Sequence, residues 1–183
     1  MPNKCTISFG ARVNTADTRD KKHLILGVDP GLITTGYGLI EVVNNAPVMI
    51  EGGVIRIPTT LPLEKRLSTI FHGIQEIILE FKPLSLALEE VHTQYERPRV
   101  TVMMGHARGV ICLAAAVNQV PVMSYAPTQI KSALTGNGRA GKEQIRRMIE
   151  LRLNLKTIPE PYDVSDALAV ALCHISRSGR GIE

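Results

Sequence analysis

Four acidic residues stand out in this sequence because most of them adjoin apolar segments. Asp29 ends one apolar segment, Glu89 ends a second, and Asp163 and Asp166 open a third that continues through residues 167–172. A carboxylate on an apolar element costs free energy unless a cation offsets its charge. The pattern therefore predicts a divalent metal site, and a metal held by acids in a basic protein suggests chemistry on phosphate.

Each acid also has an ordinary structural interpretation. An Asp before Pro30-Gly31 is typical of a turn, and Asp163 is placed to cap the helix that it opens. Glu90 should point to the opposite face of its strand from Glu89, and the residues alone do not decide which of the two serves a site. The metal interpretation therefore requires that the acids meet in the folded chain.

The composition is typical of one folded domain. The chain has 183 residues, of which 44% are hydrophobic, and its formal net charge is +4. That charge permits a polyanionic partner, but ordinary surface lysines would give the same value. Cys5, Cys112 and Cys173 are widely spaced and form no zinc pattern. We therefore expect reduced thiols and a cytoplasmic location.

No membrane segment is expected from the sequence. We find no apolar run that approaches the roughly 18 to 20 residues needed to span a bilayer, so we expect no membrane partner. Residues 1–22 lack the apolar core of a signal peptide. We interpret them as a poorly ordered extension that lies outside the fold.

The apolar pattern predicts a mixed sheet with helices packed on it. Short turns between the first three strands indicate an antiparallel meander. The predicted strands are 24–29, 36–43, 48–57, 84–91 and 120–125, and the predicted helices are 63–81, 100–118, 128–134, 142–153 and 164–176.

The four acids would meet if the first and fourth strands were parallel neighbours, because the carboxyl ends of parallel strands open onto one crevice. Asp163 and Asp166 are three residues apart and share a face of their helix. Carboxylates gathered in this way stay ionised together only with cations present. Oxygen ligands favour Mg²⁺ or Mn²⁺ over zinc, and two such ions about 3.5 to 4 Å apart would clamp a phosphodiester.

The same segments resemble the RuvC-type Holliday junction resolvases. The motifs stand in family order and at family spacing between residues 24 and 175. They are Leu-Gly-Val-Asp-Pro-Gly at 26–31 with Thr-Gly-Tyr-Gly at 35–38, Ala-Leu-Glu-Glu-Val at 87–91, Gly-His-Ala-Arg-Gly-Val at 105–110, Tyr-Ala-Pro at 125–127 with Lys131 and Lys142, and the acidic motif at 163–171.

The resemblance implies an α/β, ribonuclease-H-like fold over residues 23–178, with a mixed five-stranded sheet, helices on both faces and a short tail at 179–183. The acids that bind metal and serve catalysis would be Asp29, Glu89, Asp163 and Asp166, so the family pattern selects Glu89 over Glu90. Two Mg²⁺ ions per active site are implied, and Mn²⁺ would substitute for them.

The resemblance also implies a symmetric homodimer that nicks two opposed strands of a four-way DNA junction and leaves 5′-phosphate and 3′-hydroxyl ends. A branch-migration motor complex is a further implied partner. From the residues alone, Met103, Met104, Val110 and Leu113 on the long helix would belong to the core. The family pattern instead places part of this helix at the two-fold interface.

A basic segment follows the last predicted strand. Between residues 130 and 156 the basic residues outnumber the acidic ones Glu143 and Glu150, and they are Lys131, Arg139, Lys142, Arg146, Arg147, Arg152 and Lys156. We expect Lys131, Lys142, Gly138 and Arg139 to contact DNA, and Lys142 also to stabilise charge on the phosphate during catalysis. The other basic residues fit a solvated helix face equally well.

The loop after the second acidic motif departs from the family pattern. Family members often carry an aromatic residue there that wedges into the opened junction, and this chain has His92, with Tyr95 as the nearest aromatic residue. Either ring could stack on a base, and an ordinary polar loop is the alternative.

Other functions stay open at this point. A nuclease of the same fold that acts on RNA or on an RNA–DNA hybrid would share the acids, and so would a junction-binding protein that does not cut. An actin-like ATP-binding module also favours an Asp-x-Gly turn after its first strand, but a second Gly-rich phosphate loop is missing from this sequence.

Overall fold

The computed structural model describes residues 7–9, 23–91 and 98–179. The predicted strands and helices are all present, in the predicted order. The elements of the described chain are β1 Ile7–Phe9, β2 Leu24–Asp29, β3 Thr34–Val43, β4 Ala46–Arg56, α1 Leu63–Phe81, β5 Ser85–Glu89, α2 Pro98–Val117, β6 Val122–Tyr125, α3 Pro127–Thr135, α4 Lys142–Leu153 and α5 Tyr162–Arg177.

The strands form one mixed sheet in the order β1-β4-β3-β2-β5-β6. Strands β2, β3 and β4 pair antiparallel, which confirms the predicted meander. Strand β5 pairs parallel with β2, with Val28 opposite Leu88, and β6 pairs parallel with β5. The first and fourth predicted strands are therefore neighbours, and Asp29 and Glu89 end them at the same edge of the sheet.

The short strand β1 adds to the five predicted strands. It lies within the segment that we expected outside the fold, and it pairs antiparallel with β4, with Ile7 opposite Ile55. An open edge on the long strand β4 invites such pairing, and Ile-Ser-Phe suits a strand. Three residues are too few to show a period, so only the partner strand reveals them. The rest of residues 1–22 lies outside the described residues.

Helices cover both faces of the sheet, as predicted. On one face, α1 and α2 pack over a core that includes Leu26, Val28 and Tyr37. On the other face, α3, α4 and α5 pack over a core that includes Ile25 and Ile40. Alternate residues of β2 thus enter opposite cores, as the pleat of a strand requires.

Helix α2 corrects two expectations. It is long and apolar enough to cross a membrane by length and composition, so the statement that no segment reaches that size was wrong for this helix. Glycines and alanines make it apolar without an uninterrupted run of large side chains. Its buried residues, such as Ala107 and Ile111, pack in the core shared with α1. Leu113, expected in the core, is 54% exposed.

Candidate active site

Asp29 and Glu89 lie side by side at the carboxyl ends of two parallel strands. The pairing of β2 with β5 continues to Val28 and Leu88, the residues that immediately precede the two acids. Both acids are partly buried, and both line a cavity of about 260 Å³. The other residues that line it are Pro30, Glu90, Val91, Val100, Thr101, Met104 and Pro127.

The turn after Asp29 is fixed by side chains from outside it. The Thr35 hydroxyl donates a hydrogen bond to the Gly31 carbonyl at 2.7 Å. The Nε of Arg66 on α1 donates to the Leu32 carbonyl at 3.1 Å, and a second nitrogen of the same guanidinium donates to that oxygen as well. Asp29 is the last residue of β2 rather than a turn residue, and the segment that follows it is held in place.

Helix α5 reaches the same edge of the sheet because two glycines let it lie directly on the strands. Gly36 is the cross-strand partner of Asp29, and a Cβ atom on it would come within 2.1 Å of the Asp163 carbonyl oxygen. A Cβ atom on Gly27 would come equally close, 2.1 Å, to the Ala167 carbonyl oxygen. The first turn of α5 thus sits over the end of β2.

The structure does not support the capping interpretation of Asp163. The residue at the N-cap position of α5 is Pro161, and no side chain caps the helix there. Asp163 lies inside the first turn and Asp166 one turn further. Both side chains are partly buried, which leaves them available for a site at this edge of the sheet.

The electrostatics of the acids show that they share one environment. Burial raises the pKa of Asp29 from 3.8 to about 8, and the charges of Glu89, Asp166 and Asp163 add to that rise. Burial also raises the pKa of Glu89, and Asp166 raises it further. A carboxylate that is desolvated beside others binds its proton more tightly. The four acids therefore lie within electrostatic reach of one another.

Two lysines act on this group of acids. Lys142, the first residue of α4, lowers the pKa of Asp29, Glu89 and Asp166 against the larger effect of burial. Lys131 on α3 lowers the pKa of Glu89 in the same way. The structure thus brings both predicted lysines to the acidic site, where they provide positive charge next to it.

The remaining predicted contact residues lie in less informative positions. Arg139 is exposed and Gly138 is partly exposed, in the connection between α3 and α4. The amide of Arg139 donates to Asn137 Oδ1 at 3.0 Å, which shapes that turn. His92 and Tyr95 lie outside the described residues, so the prediction of an aromatic wedge stays a prediction.

Two arginines of the basic segment have roles that the sequence did not reveal. Arg146 forms an ion pair with Glu160 at 2.9 Å, and its guanidinium lies 4.3 Å from the centre of the Tyr162 ring. Arg152 donates to Ser176 Oγ at 2.8 Å and to the Ala133 carbonyl at 3.0 Å, so it joins α4 to α5 and α3. These partners lie far along the chain, and no local pattern indicates them.

The donor set fits a hard divalent cation. Carboxylate oxygens are the ligands that Mg²⁺ and Mn²⁺ prefer, and the raised pKa values of Asp29, Glu89 and Asp166 show that their negative charges are not fully offset. Within residues 23–91 and 98–179, no three acidic, His or Cys side chains converge tightly enough to hold one ion. Like-charge repulsion opposes such convergence.

Comparison with known proteins agrees with this picture. The model of the family described as "Crossover junction endodeoxyribonuclease RuvC" matches residues 25–174. A protein of that name from Rhodopirellula baltica is 48% identical over 149 residues, which are 81% of this chain and 84% of that protein. Another from Desulforamulus reducens is 44% identical over 151 residues, which are 82% of this chain and 92% of that protein.

Solved structures show the same similarity. Thermus thermophilus RuvC "in complex with Holliday junction substrate" has a TM-score of 0.81 and 32% identity, over 87% of this chain and 96% of that chain. The yeast mitochondrial Holliday junction resolvase Ydc2 has a TM-score of 0.64 at 12% identity, over 85% of this chain and 79% of that chain. The second likeness concerns the fold alone.

Proposed function

The chain belongs to the RuvC family of crossover junction endodeoxyribonucleases, and we propose that Asp29, Glu89, Asp163 and Asp166 form the metal site with which it cuts. It is a DNA endonuclease with a ribonuclease-H-like fold that resolves four-way junctions and depends on divalent metal. The observation that supports the site is the close packing of α5 on Gly36, which brings Asp163 and Asp166 over the end of β2.

We propose two Mg²⁺ ions per site, for which Mn²⁺ would substitute. When bound, such ions would supply activation of the attacking water and stabilisation of the leaving 3′ oxygen of a phosphodiester. Asp29 and Glu89 would hold them from the strand ends, and Asp163 and Asp166 from the first turns of α5. Because water would be the attacking group, no protein nucleophile would be needed, and the products would carry 5′-phosphate and 3′-hydroxyl ends.

Lys142 and Lys131 are proposed to hold the phosphate that is cut. Their electrostatic effect on Glu89 places both within reach of the acids, and Lys142 is exposed at the start of α4. A lysine beside a phosphoryl group stabilises the charge that builds up during hydrolysis. Gly138 and Arg139 would extend this contact along the DNA backbone.

We propose that α2 forms the two-fold interface of a homodimer. Val102, Leu113 and Val117 share one side of the helix and are 60%, 54% and 59% exposed. Gly105 and Gly109 lie on the same side, with open space around them. A second helix could therefore approach closely, and two active sites related by a two-fold axis suit a four-way junction. A branch-migration motor complex is proposed as a further partner.

A synthetic immobile four-way junction tests the proposed site, with and without Mg²⁺. The wild-type protein should make paired symmetric nicks only with the metal present. Glu89→Gln should bind the junction but cut it at least about 100-fold more slowly, because a metal ligand is lost. Glu90→Gln is the matched control, since this neighbouring side chain is exposed at the rim of the cavity. It should cut within about threefold of wild type.

The outcomes separate the two glutamates. Loss of cutting in the Glu90 variant together with a normal Glu89 variant would reverse the assignment. A wild-type protein that cuts an RNA–DNA hybrid but leaves the junction intact would contradict the proposed function itself.

A further inference from the structure

We propose that Arg108 is a positioning residue that fixes Glu89 by holding its backbone carbonyl. The Nε of Arg108, on α2, donates a hydrogen bond to the Glu89 carbonyl oxygen at 3.1 Å. The inference rests on the proposed function, because it matters for catalysis only if the Glu89 carboxylate binds metal. Arg108 itself touches neither substrate nor metal in this account.

The need for Arg108 follows from the register of the sheet. Strands β2 and β5 are parallel, with Val28 opposite Leu88, so the next ladder donor to the Glu89 carbonyl would come from position 30. That residue is Pro30, which has no N–H group. The ladder therefore ends at the catalytic acids, and the Glu89 carbonyl must find its hydrogen bond outside the sheet.

Arg108 supplies that hydrogen bond and completes a clamp on one peptide group. The amide of Glu90, in the same peptide group as the Glu89 carbonyl, donates to the Tyr125 carbonyl at 2.9 Å. The peptide after Glu89 is thus held by β6 through its N–H and by α2 through its C=O. This clamp fixes the direction in which the Glu89 side chain leaves the strand.

Arg108 is itself well positioned for this task. A second nitrogen of its guanidinium donates to Ser124 Oγ on β6. Its neighbour in sequence, Ala107, is fully buried, so the position of this helical turn is set by the core. Hydrogen bonds from a charged donor are stronger than neutral ones, and a planar guanidinium that serves two acceptors is more rigid than a lysine.

Residues that orient a metal ligand affect metal binding more than folding. Loss of such a partner typically weakens metal affinity about 10- to 100-fold. Arg108→Met keeps the length of the side chain and removes both hydrogen bonds, whereas Arg108→Lys keeps one donor. Ser124→Ala is the matched control, because it removes the second acceptor of the guanidinium and leaves the bond to Glu89 intact.

Two measurements test the proposal on the full-length protein. The first is the Mg²⁺ concentration that gives half-maximal single-turnover cleavage of a four-way junction. The second is the Mg²⁺ concentration that gives half of the metal-dependent rise in melting temperature, which needs no cleavage. In both, Arg108→Met should require about tenfold more Mg²⁺ than wild type, with unchanged junction affinity in EDTA. The Mg²⁺ requirement of Arg108→Lys should lie between those of Arg108→Met and wild type. That of Ser124→Ala should stay within about threefold of the wild-type value.

The opposite results are equally clear. Equal Mg²⁺ requirements for Arg108→Met and wild type would overturn the proposal, as would an equal loss in Ser124→Ala, which would indicate packing of α2 on β6 instead. If Arg108→Met does not fold, the comparison of Arg108→Lys with Ser124→Ala decides in the same way. A wild-type protein that does not cut junctions would contradict the proposed function, whereas a normal wild type with an unaffected Arg108 variant contradicts this inference alone.

Discussion

At the scale of single residues, the burial of Asp29 at the proposed metal site carries a cost in stability. Its carboxyl has a pKa raised from 3.8 to about 8 by burial and by the neighbouring acids. The folded protein therefore binds this proton more tightly than the unfolded chain does. The resulting stabilisation is complete below about pH 4 and is lost as the pH rises towards 8. At neutral pH the folded protein therefore keeps this carboxyl largely protonated, and above about pH 8 the ionised side chain opposes folding unless a cation is bound.

The substitution Asp29→Asn should therefore stabilise the metal-free protein while it abolishes cutting. In EDTA at pH 8, we expect a gain on the order of 1 to 3 kcal/mol, and this gain should shrink towards pH 4. Thermal unfolding across this pH range measures it, and junction binding should be unchanged. With saturating Mg²⁺ the wild type should recover more stability than the variant. A variant that melts at or below the wild-type temperature at every pH would contradict this account.

The sequence predicted the acids of the site but not the residues that fix their positions. Asp29, Glu89, Asp163 and Asp166 are visible because a charge next to an apolar run is unusual. Arg108 gives no such signal, because its partner is a backbone carbonyl on β5. Its role depends on strand register and on the missing N–H of Pro30, and neither can be read before the fold is known.

At the scale of elements, local pattern was sufficient where an element is long and amphipathic. Helices α1 and α4 begin and end at the predicted residues, because their apolar residues recur at helical spacing. Helix α2 begins at Pro98, two residues earlier than predicted, since proline is well suited to a first helical turn. Strand β1 escaped prediction because its partner β4, and not its own three residues, specifies it.

The contact between α5 and the sheet also could not be predicted from the sequence. Gly36 looked like part of a family motif, but the structure shows that it admits the backbone of α5 next to Asp29. A glycine without a Cβ atom is needed there because the Asp163 carbonyl occupies the space. The sequence predicts the helix, but the close packing of α5 on Gly36 is what brings Asp163 and Asp166 to the site.

The substitution Gly36→Ala should displace the first turn of α5. The new Cβ atom would lie 2.1 Å from the Asp163 carbonyl oxygen, so the helix must move, at a cost of about 1 to 3 kcal/mol in unfolding free energy. Because Asp163 and Asp166 move with it, cleavage should fall far more than this loss of stability explains. Urea unfolding and cleavage rates at a temperature well below melting separate the two effects.

Gly141→Ala is the control for that experiment. Gly141 precedes α4 with a φ of −76°, and a Cβ atom there meets nothing within 4 Å. Because Gly141 is the N-cap of α4, where glycine is preferred to alanine, this variant should lose up to about 1 kcal/mol of stability. It should keep the cleavage rate of wild type. Equal cleavage rates for Gly36→Ala and Gly141→Ala would mean that the close packing of α5 on β3 is not needed for the site.

At the scale of the whole molecule, the exposed apolar side of α2 connects the fold to the shape of the substrate. This helix supplies Arg108 to the Glu89 carbonyl on one side and presents Leu113 and Val117 to solvent on another. A partner that covers the exposed side would also steady the helix that holds Glu89, the proposed metal ligand. Dimer formation and the activity of each active site would then be linked through α2.

The substitution Leu113→Asp should test that link by weakening the dimer. A charge in an apolar interface is costly to bury. Sedimentation equilibrium at micromolar concentrations should therefore show a monomer for this variant and a dimer for the wild type. Leu79→Asp is the matched control, because Leu79 is 59% exposed, close to the 54% of Leu113, and lies on a different helix, α1. The control should remain a dimer. On a four-way junction, the monomeric variant should lose paired nicks, because coordinated cutting of two opposed strands requires two sites held in one assembly. A Leu113 variant that stays dimeric, or a wild type that is monomeric under the same conditions, would place the partner surface elsewhere on the molecule.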